Sequence, residues 1–240
     1  MNGKIQLRLR PLSIQRQRPD YPQVNYVDDN GVQWIELNRG CYRSCEFCWA
    51  DPNYKTFSIP EIISNKVQII GENILYDPLI EKKLETLANI KYNRKVVYYG
   101  LCNGFDYRLV TAKISRLSKN ARIGNINNKG NWKKGVNLAW DNDLSYRNKI
   151  KNVLDMFVKE GYDPYQCKIF VLVNYKVSYR HCLIKLQIIK KWGCKIDDCT
   201  WNCTKKLYIP LYWDYPEYHK FRRLCREHNI NFKGRRSVLR

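Results

Sequence analysis

The residues of this chain with the most chemical potential are Cys41, Cys45 and Cys48, in the run Gly40-Cys41-Tyr42-Arg43-Ser44-Cys45-Glu46-Phe47-Cys48-Trp49. Thiolates are the protein ligands of iron–sulfur clusters, and three of them on a cubane of four irons leave one iron without a protein ligand. A cluster held by four cysteines can only pass electrons, whereas an iron with an open position can bind a small molecule and act on it. The CxxxCxxC spacing therefore points to catalysis at a [4Fe-4S] cluster. A zinc site or a set of buried thiols is the alternative for the same residues. A closed zinc site needs four ligands in roughly tetrahedral geometry, and no neighbouring His or Cys completes the set in sequence.

The elements that must position these cysteines are legible as an alternation of short apolar runs with helical patterns from Trp34 onward, as a parallel sheet with crossover helices requires. Strands are predicted over 32–37, 67–70, 96–99, a run ending in Leu138-Ala139-Trp140-Asp141, and 169–173. The sixth is either 194–198, favoured by short helix-to-strand loops, or the stronger apolar run 207–212. A helix opens with Asp77 as N-cap and Pro78 at its first position, and Ile80, Leu84 and Leu87 share one face of it. Further helices run through Ile114 and Leu117, from about 144 to 159 with Gly161 as the stop, up to Trp192-Gly193, and near 216–227. Repeated βα units closing on themselves gather the loops that follow the strands at one mouth, and the cysteines follow the first strand.

The cysteine run, with the aromatic Phe47 just before the third cysteine, resembles the radical S-adenosylmethionine superfamily, as a small stand-alone member. The resemblance covers roughly residues 33–212 and implies an α/β fold, a partial (βα)6 TIM-like barrel. It implies that Cys41, Cys45 and Cys48 hold the [4Fe-4S] cluster and that S-adenosylmethionine chelates the open iron. The reduced cluster would cleave this cofactor to a 5′-deoxyadenosyl radical that abstracts hydrogen from a substrate, with an electron donor such as flavodoxin or ferredoxin. Gly71-Glu72-Asn73 stands where the family has a Gly-Gly-Glu-like motif, with Ile70 in place of the first glycine. Gly104-Phe105-Asp106-Tyr107-Arg108-Leu109 resembles a Gly-Leu-Asp-x-Arg-Leu stretch, in which Arg108 would hold the methionine carboxylate beside Asp106. Asp141 and Asn174, at the ends of the fourth and fifth strands, are placed to bond ribose hydroxyls, or else to cap helices.

Composition limits the partners. The chain has 240 residues, 43 Lys plus Arg against 22 Asp plus Glu, and a formal net charge of +21, which favours a polyanion, RNA or DNA first. The basic ends carry much of this excess: Arg8, Arg10, Arg16 and Arg18 precede any acidic residue, and Lys233, Arg235, Arg236 and Arg240 close the chain. These ends divide the sequence into a basic, proline-containing extension over 1–30, a barrel over 31–228 and a basic tail over 229–240. Trp49 and Trp140 are candidates to stack on an unpaired base. No apolar stretch is long enough to span a bilayer and no signal peptide is evident, so the expectation is a soluble, cytoplasmic protein whose ten cysteines stay reduced.

A second group, Cys194, Cys199 and Cys203, suits an auxiliary iron–sulfur cluster or plain thiols, and Cys199 at the mouth is a candidate to return a hydrogen atom to a substrate radical. His181, His219 and His228 read as exposed basic positions. Three functions follow: a radical enzyme acting on a nucleic acid or nucleotide, a peptide- or protein-modifying radical enzyme or activase, and a non-catalytic iron–sulfur protein that binds nucleic acid.

Overall fold

The computed structural model describes residues 22–43, 45–48, 50, 53–141, 143–200 and 212–237, with side chains of the last helix described up to residue 231. In chain order the elements are β1 (Asn25–Val27), β2 (Gln33–Glu36), β3 (Asn38–Arg39), β4 (Lys55–Thr56), β5 (Lys66–Ile70), α1 (Ile80–Asn89), β6 (Lys91–Tyr92), β7 (Lys95–Val96) and β8 (Tyr98–Leu101). They continue with α2 (Ala112–Asn120), β9 (Ile123–Ile126), β10 (Trp132–Lys134), β11 (Asn137–Trp140), α3 (Arg147–Lys159), β12 (Lys168–Val173), α4 (Tyr179–Trp192), β13 (Lys195–Thr200) and α5 (Tyr215–Ser237). The fold is mixed α/β. A six-stranded sheet has the order β1-β2-β5-β8-β9-β10, a three-stranded sheet the order β11-β12-β13, and β3-β4 and β6-β7 form two small ladders.

β2, β5, β8 and β9 run parallel, as do β11, β12 and β13, and a parallel bridge between Phe105 and Leu138 links the segment after β8 to the second sheet. The outward faces are apolar because helices cover them: Ile35, Val67, Ile69 and Tyr99 of the first sheet are buried with Ile80, Leu84 and Leu87 of α1. Ile169, Val171 and Val173 of β12 pack in the same core with Leu186 and Ile189 of α4. α4 ends as its sequence requires, on Gly193 in the left-handed conformation at φ 70°.

Several boundaries differ from the sequence expectation for identifiable reasons. The third strand begins at Tyr98 rather than 96, because Lys95 and Val96 pair back on Lys91 and Tyr92 around Asn93 and Arg94, both at positive φ, in a tight hairpin. α1 starts at Ile80, not at Pro78. Asp77 still caps locally, accepting from Leu79 N–H at 2.9 Å, but its carboxylate also takes the Thr56 hydroxyl at 2.7 Å and the buried ammonium of Lys83. β9 and β10 lie outside the expected set of strands. The sixth strand is β13, so the 194–198 alternative places it in the sheet, while 207–211 fall outside the described residues. α5 runs through Glu227 to Ser237, across the point where the sequence places the start of a basic tail, and β1 lies within the expected extension. Among the described residues no helix is long and apolar enough to cross a membrane.

Candidate functional site

The loops after the parallel strands meet. The loop from Gly40 to Tyr54 is pinned at its base by the β3–β4 ladder, which pairs Asn38 with Thr56 and Arg39 with Lys55. Arg39 forms a two-point, buried ion pair with Glu36, at 2.8 Å through Nε and 2.5 Å through Nη2, which fixes the exit from β2. Across the next strand, the Glu72 carboxylate accepts from Gly40 N–H at 2.8 Å, and Asn38 Nδ2 donates to the Asn73 carbonyl at 3.0 Å. Gly71 allows this closeness: a Cβ there would lie 2.2 Å from Asn38 Oδ1 and 3.0 Å from the Asn38 carbonyl oxygen. The Gly71 carbonyl in turn accepts from the Asn103 amide.

Asp106 is the electrostatic centre. Arg43 Nη1 donates to its Oδ2 at 3.0 Å, Arg108 Nε to its Oδ1 at 2.6 Å, and Asn73 Nδ2 to its Oδ2 at 3.3 Å. Burial alone would raise the Asp106 pKa, but the hydrogen bond and charge of Arg108, with the charge of Arg43, outweigh it and hold the group below the ordinary carboxylate value. Arg43 Nε is buried with no hydrogen-bond partner among the described residues. Nearby, Asp141 behaves oppositely: burial raises it to about 6, against the lowering charges of Lys185, Arg108 and Arg43. Lys185 is 0 % exposed, donates to the Trp140 carbonyl at 3.0 Å, and has its pKa lowered by burial.

The far rim is aromatic. Phe47 stands edge-on to Tyr175 at 5.5 Å between ring centroids, and Tyr175 donates its hydroxyl to Glu46 at 2.8 Å, where Lys176 also pairs. Asn174 adopts φ 61°, a left-handed conformation that Asn tolerates, and its Oδ1 accepts from Tyr212 N–H at 3.0 Å. Asn174 thus ties the chain at Tyr212 to the end of β12. Tyr42 and Tyr212 are 60 % and 41 % exposed. Trp140 is not a stacking platform: it is 0 % exposed and lies against Trp192 at 5.4 Å, inside the core. Trp49 lies outside the described residues.

The cysteines require a correction. Cys41 and Cys45 are half-buried and Cys48 is exposed. Cys48 N–H turns back to the Cys45 carbonyl at 2.9 Å, while the Cys48 sulfur accepts from Ala50 N–H at 3.4 Å. Burial raises the Cys41 thiol, with the charges of Cys48 and Cys45 adding to the rise, against lowering contacts from the Arg43 backbone and the Asn73 side chain. The three lie in one neighbourhood, yet among the described residues no group of three or more His, Cys, Asp or Glu side chains is arranged to hold a metal ion. Spacing along the chain brought the thiols near one another without converging them on one ion, and the sulfurs of Cys41 and Cys48 meet backbone N–H groups of Arg43 and Ala50.

This overturns the [4Fe-4S] assignment to Cys41, Cys45 and Cys48, and with it membership of the radical S-adenosylmethionine superfamily. Binding and reductive cleavage of S-adenosylmethionine, hydrogen abstraction, and the enzyme, activase and iron–sulfur nucleic-acid-binding functions built on that cluster fall with it. Of the residues expected to hold that cofactor, Glu72, Asn73, Asp106, Arg108 and Asn174 bond one another or neighbouring residues, Gly71 accepts from Asn103, Phe47 packs on Tyr175, and Asp141 lies in the field of Lys185 and Arg108. Among the described residues no metal-holding group includes Cys194 or Cys199 of the expected auxiliary cluster. Cys194 is buried, and Cys203 lies outside the described residues. Cys199, opposite Leu172 on β13, has its thiol pushed up by burial to about 12, and its hydrogen-donor role lapses with the radical chemistry.

Sequence reasoning passed over Arg43, Glu46, Tyr175 and Lys185. Arg43 sits inside the cysteine run, where the thiols drew the attention. Lys185 could have been found as the one cation on the apolar face that includes Cys182, Leu186 and Ile189 of α4. His228 is also not an exposed base: it is 7 % exposed and its ring lies 2.8 Å from the Cys194 carbonyl. No protein-family model matches the chain, and no curated protein matches it.

Proposed function

We propose that this chain binds a single-stranded polyanion, RNA first, across the ends of its parallel strands. The observation that carries the reading is the pair of guanidiniums, Arg43 and Arg108, sharing the single carboxylate of Asp106, with Arg43 Nε–H still lacking a partner among the described residues. The Arg43 and Arg108 side chains keep 24 % and 30 % of their surface exposed, and a phosphate oxygen can meet that exposed edge. Tyr42 and Tyr212, each exposed on one side and packed against Tyr76 or Tyr175 on another, offer ring surface on which unpaired bases stack whatever their sequence. The net charge of +21 supplies the long-range attraction. The basic segments at both ends, which fall largely outside the described residues, would add phosphate contacts without reading sequence.

In this reading β2, β5 and β8 of the first sheet and β11, β12 and β13 of the second act as one six-stranded partial barrel, joined through the Phe105–Leu138 bridge, with the Asp106 cluster at its mouth. The test is binding of short RNA and DNA from low to moderate salt, for the full chain and for a version lacking both basic ends. Affinity should fall with salt at a logarithmic slope of about −0.7 per phosphate contact on a single strand. Salt-insensitive binding would contradict it, and binding that survives removal of the ends unchanged would contradict the part given to the ends.

A further inference from the structure

Away from the Asp106 cluster, a cavity of about 510 Å³ lies between the two sheets, lined by residues from β2, β5, β9, β11, β12 and β13 among others. That size is ordinary for a small-ligand site. Its chemistry is unusual for the space between two sheets. Gln68, Asn125 and Asn137 present carboxamides, Asn127, Asn128 and Asn131 add three more from the β9–β10 turn, and Trp34 and Phe170 supply flat apolar faces. On its wall Lys168 pairs with Asp197 at 3.0 Å, and Lys133 adds a second cation.

Gln68 Nε2 donates to the Ile69 carbonyl at 3.4 Å and Asn127 Oδ1 accepts from Lys129 and Asn131 N–H at 3.0 and 2.9 Å, whereas Asn137 is incompletely used. Gln68 is 4 % exposed, and its Oε1 occupies space that a Cβ on Gly100 would invade at 2.6 Å. Asn137 is 5 % exposed, and its Oδ1 is buried without a hydrogen-bond partner among the described residues. A buried amide oxygen left unpaired costs free energy in the empty protein, and a ligand that donates to it recovers that cost on binding. Carboxamides carry a donor and an acceptor side by side. They match a flat, neutral ligand whose edge also alternates donor and acceptor, and adenine offers N6–H beside N7 in that pattern. Guanine presents two acceptors on the same edge, which the side-by-side donor and acceptor of a carboxamide do not match.

We infer that this cavity is a binding site for an adenine base, seated between the amides of Gln68 and Asn137 and against the rings of Trp34 and Phe170. The inference deepens the proposed nucleic-acid reading by giving it a pocket for an unpaired base, but it is tested by a ligand without phosphate, so the two can fail separately. The experiment is titration of the full chain with adenosine and guanosine by calorimetry, beside titration with a short RNA. Adenosine should bind with little salt dependence and at least tenfold more tightly than guanosine. Asn137→Leu and Gln68→Met should each weaken adenosine at least tenfold while leaving the melting temperature within a few degrees of the parent or higher for Asn137→Leu. Absence of adenosine binding at millimolar concentration would overturn the inference, as would equal affinity for guanosine or unchanged binding in both variants. RNA binding without adenosine binding would remove this pocket and leave the mouth reading intact, whereas the reverse would keep the pocket and remove the polyanion.

Discussion

Asp141→Asn should stabilise the protein at neutral pH. In the folded chain burial lifts the Asp141 carboxyl from 3.8 to about 6. An acid whose folded pKa is raised holds its proton in the native state at pH values where the unfolded chain has already lost it, so stability falls as pH rises from about 4 to 6 and stays lower above. The size of that loss, at 1.36 kcal/mol per pKa unit, is about 3 kcal/mol at pH 7. An amide of the same shape does not titrate and avoids the loss. The gain is smaller than the full figure, because the Asp141 charge raises the otherwise lowered pKa of buried Lys185 and the variant removes that support. A net stabilisation of roughly 1–2 kcal/mol at pH 7 is therefore expected, shrinking to near zero at pH 4. Urea unfolding at half-unit steps from pH 4 to 7.5, on parent and variant, measures it directly. Equal slopes of stability against pH for the two proteins would refute the burial argument.

Lys83→Met should be among the most damaging single changes, because Asp77, Thr56 and the Leu37 carbonyl all converge on its ammonium and the Asp77 side chain is 1 % exposed. Leaving that carboxylate buried without its cation should cost about 3 kcal/mol or more, read as a lowered denaturant midpoint, and a loss below about 1 kcal/mol would show the pair to be dispensable. Gly71→Ala drives a methyl group into Asn38 Oδ1 and should cost about 2 kcal/mol while loosening the Gly71–Asn73 turn, visible as faster amide exchange at Asn73; unchanged exchange would contradict the close approach. If RNA occupies the mouth, its affinity should rise as pH falls from 7.5 to 5.5, because Asp141 loses a negative charge there, and Asp141→Asn should flatten that dependence.

The apolar strands and the faces of the helices were legible because they follow periods that burial enforces. Ile80, Leu84 and Leu87 lie where a helical face places them, and the short apolar run over 169–173 marks β12. The sheet's inner face was not legible from that signal. Gln68 stands between Val67 and Ile69, and Asn137 opens β11, as polar letters in apolar runs, and only their registers show that they line a cavity. The cysteine run misled for a related reason: spacing sets which residues can approach, whereas convergence on one ion depends on how the loop turns. Asp106 with Arg108 was readable as a local pair, but its second cation, Arg43, comes from 63 residues away and only the meeting of two loops reveals it.

The most direct test of the account is the salt dependence of RNA binding in Arg43→Gln, Arg108→Gln and the double variant, measured by fluorescence polarisation with a short unstructured RNA and with each variant's folding checked by its melting curve. If the two guanidiniums at Asp106 meet phosphates, each single variant should bind more weakly, and the double variant's salt slope should be shallower by about 1.4 than the parent's. A double variant that folds like the parent and keeps the parent's affinity and slope would contradict the assignment of the mouth as the polyanion site.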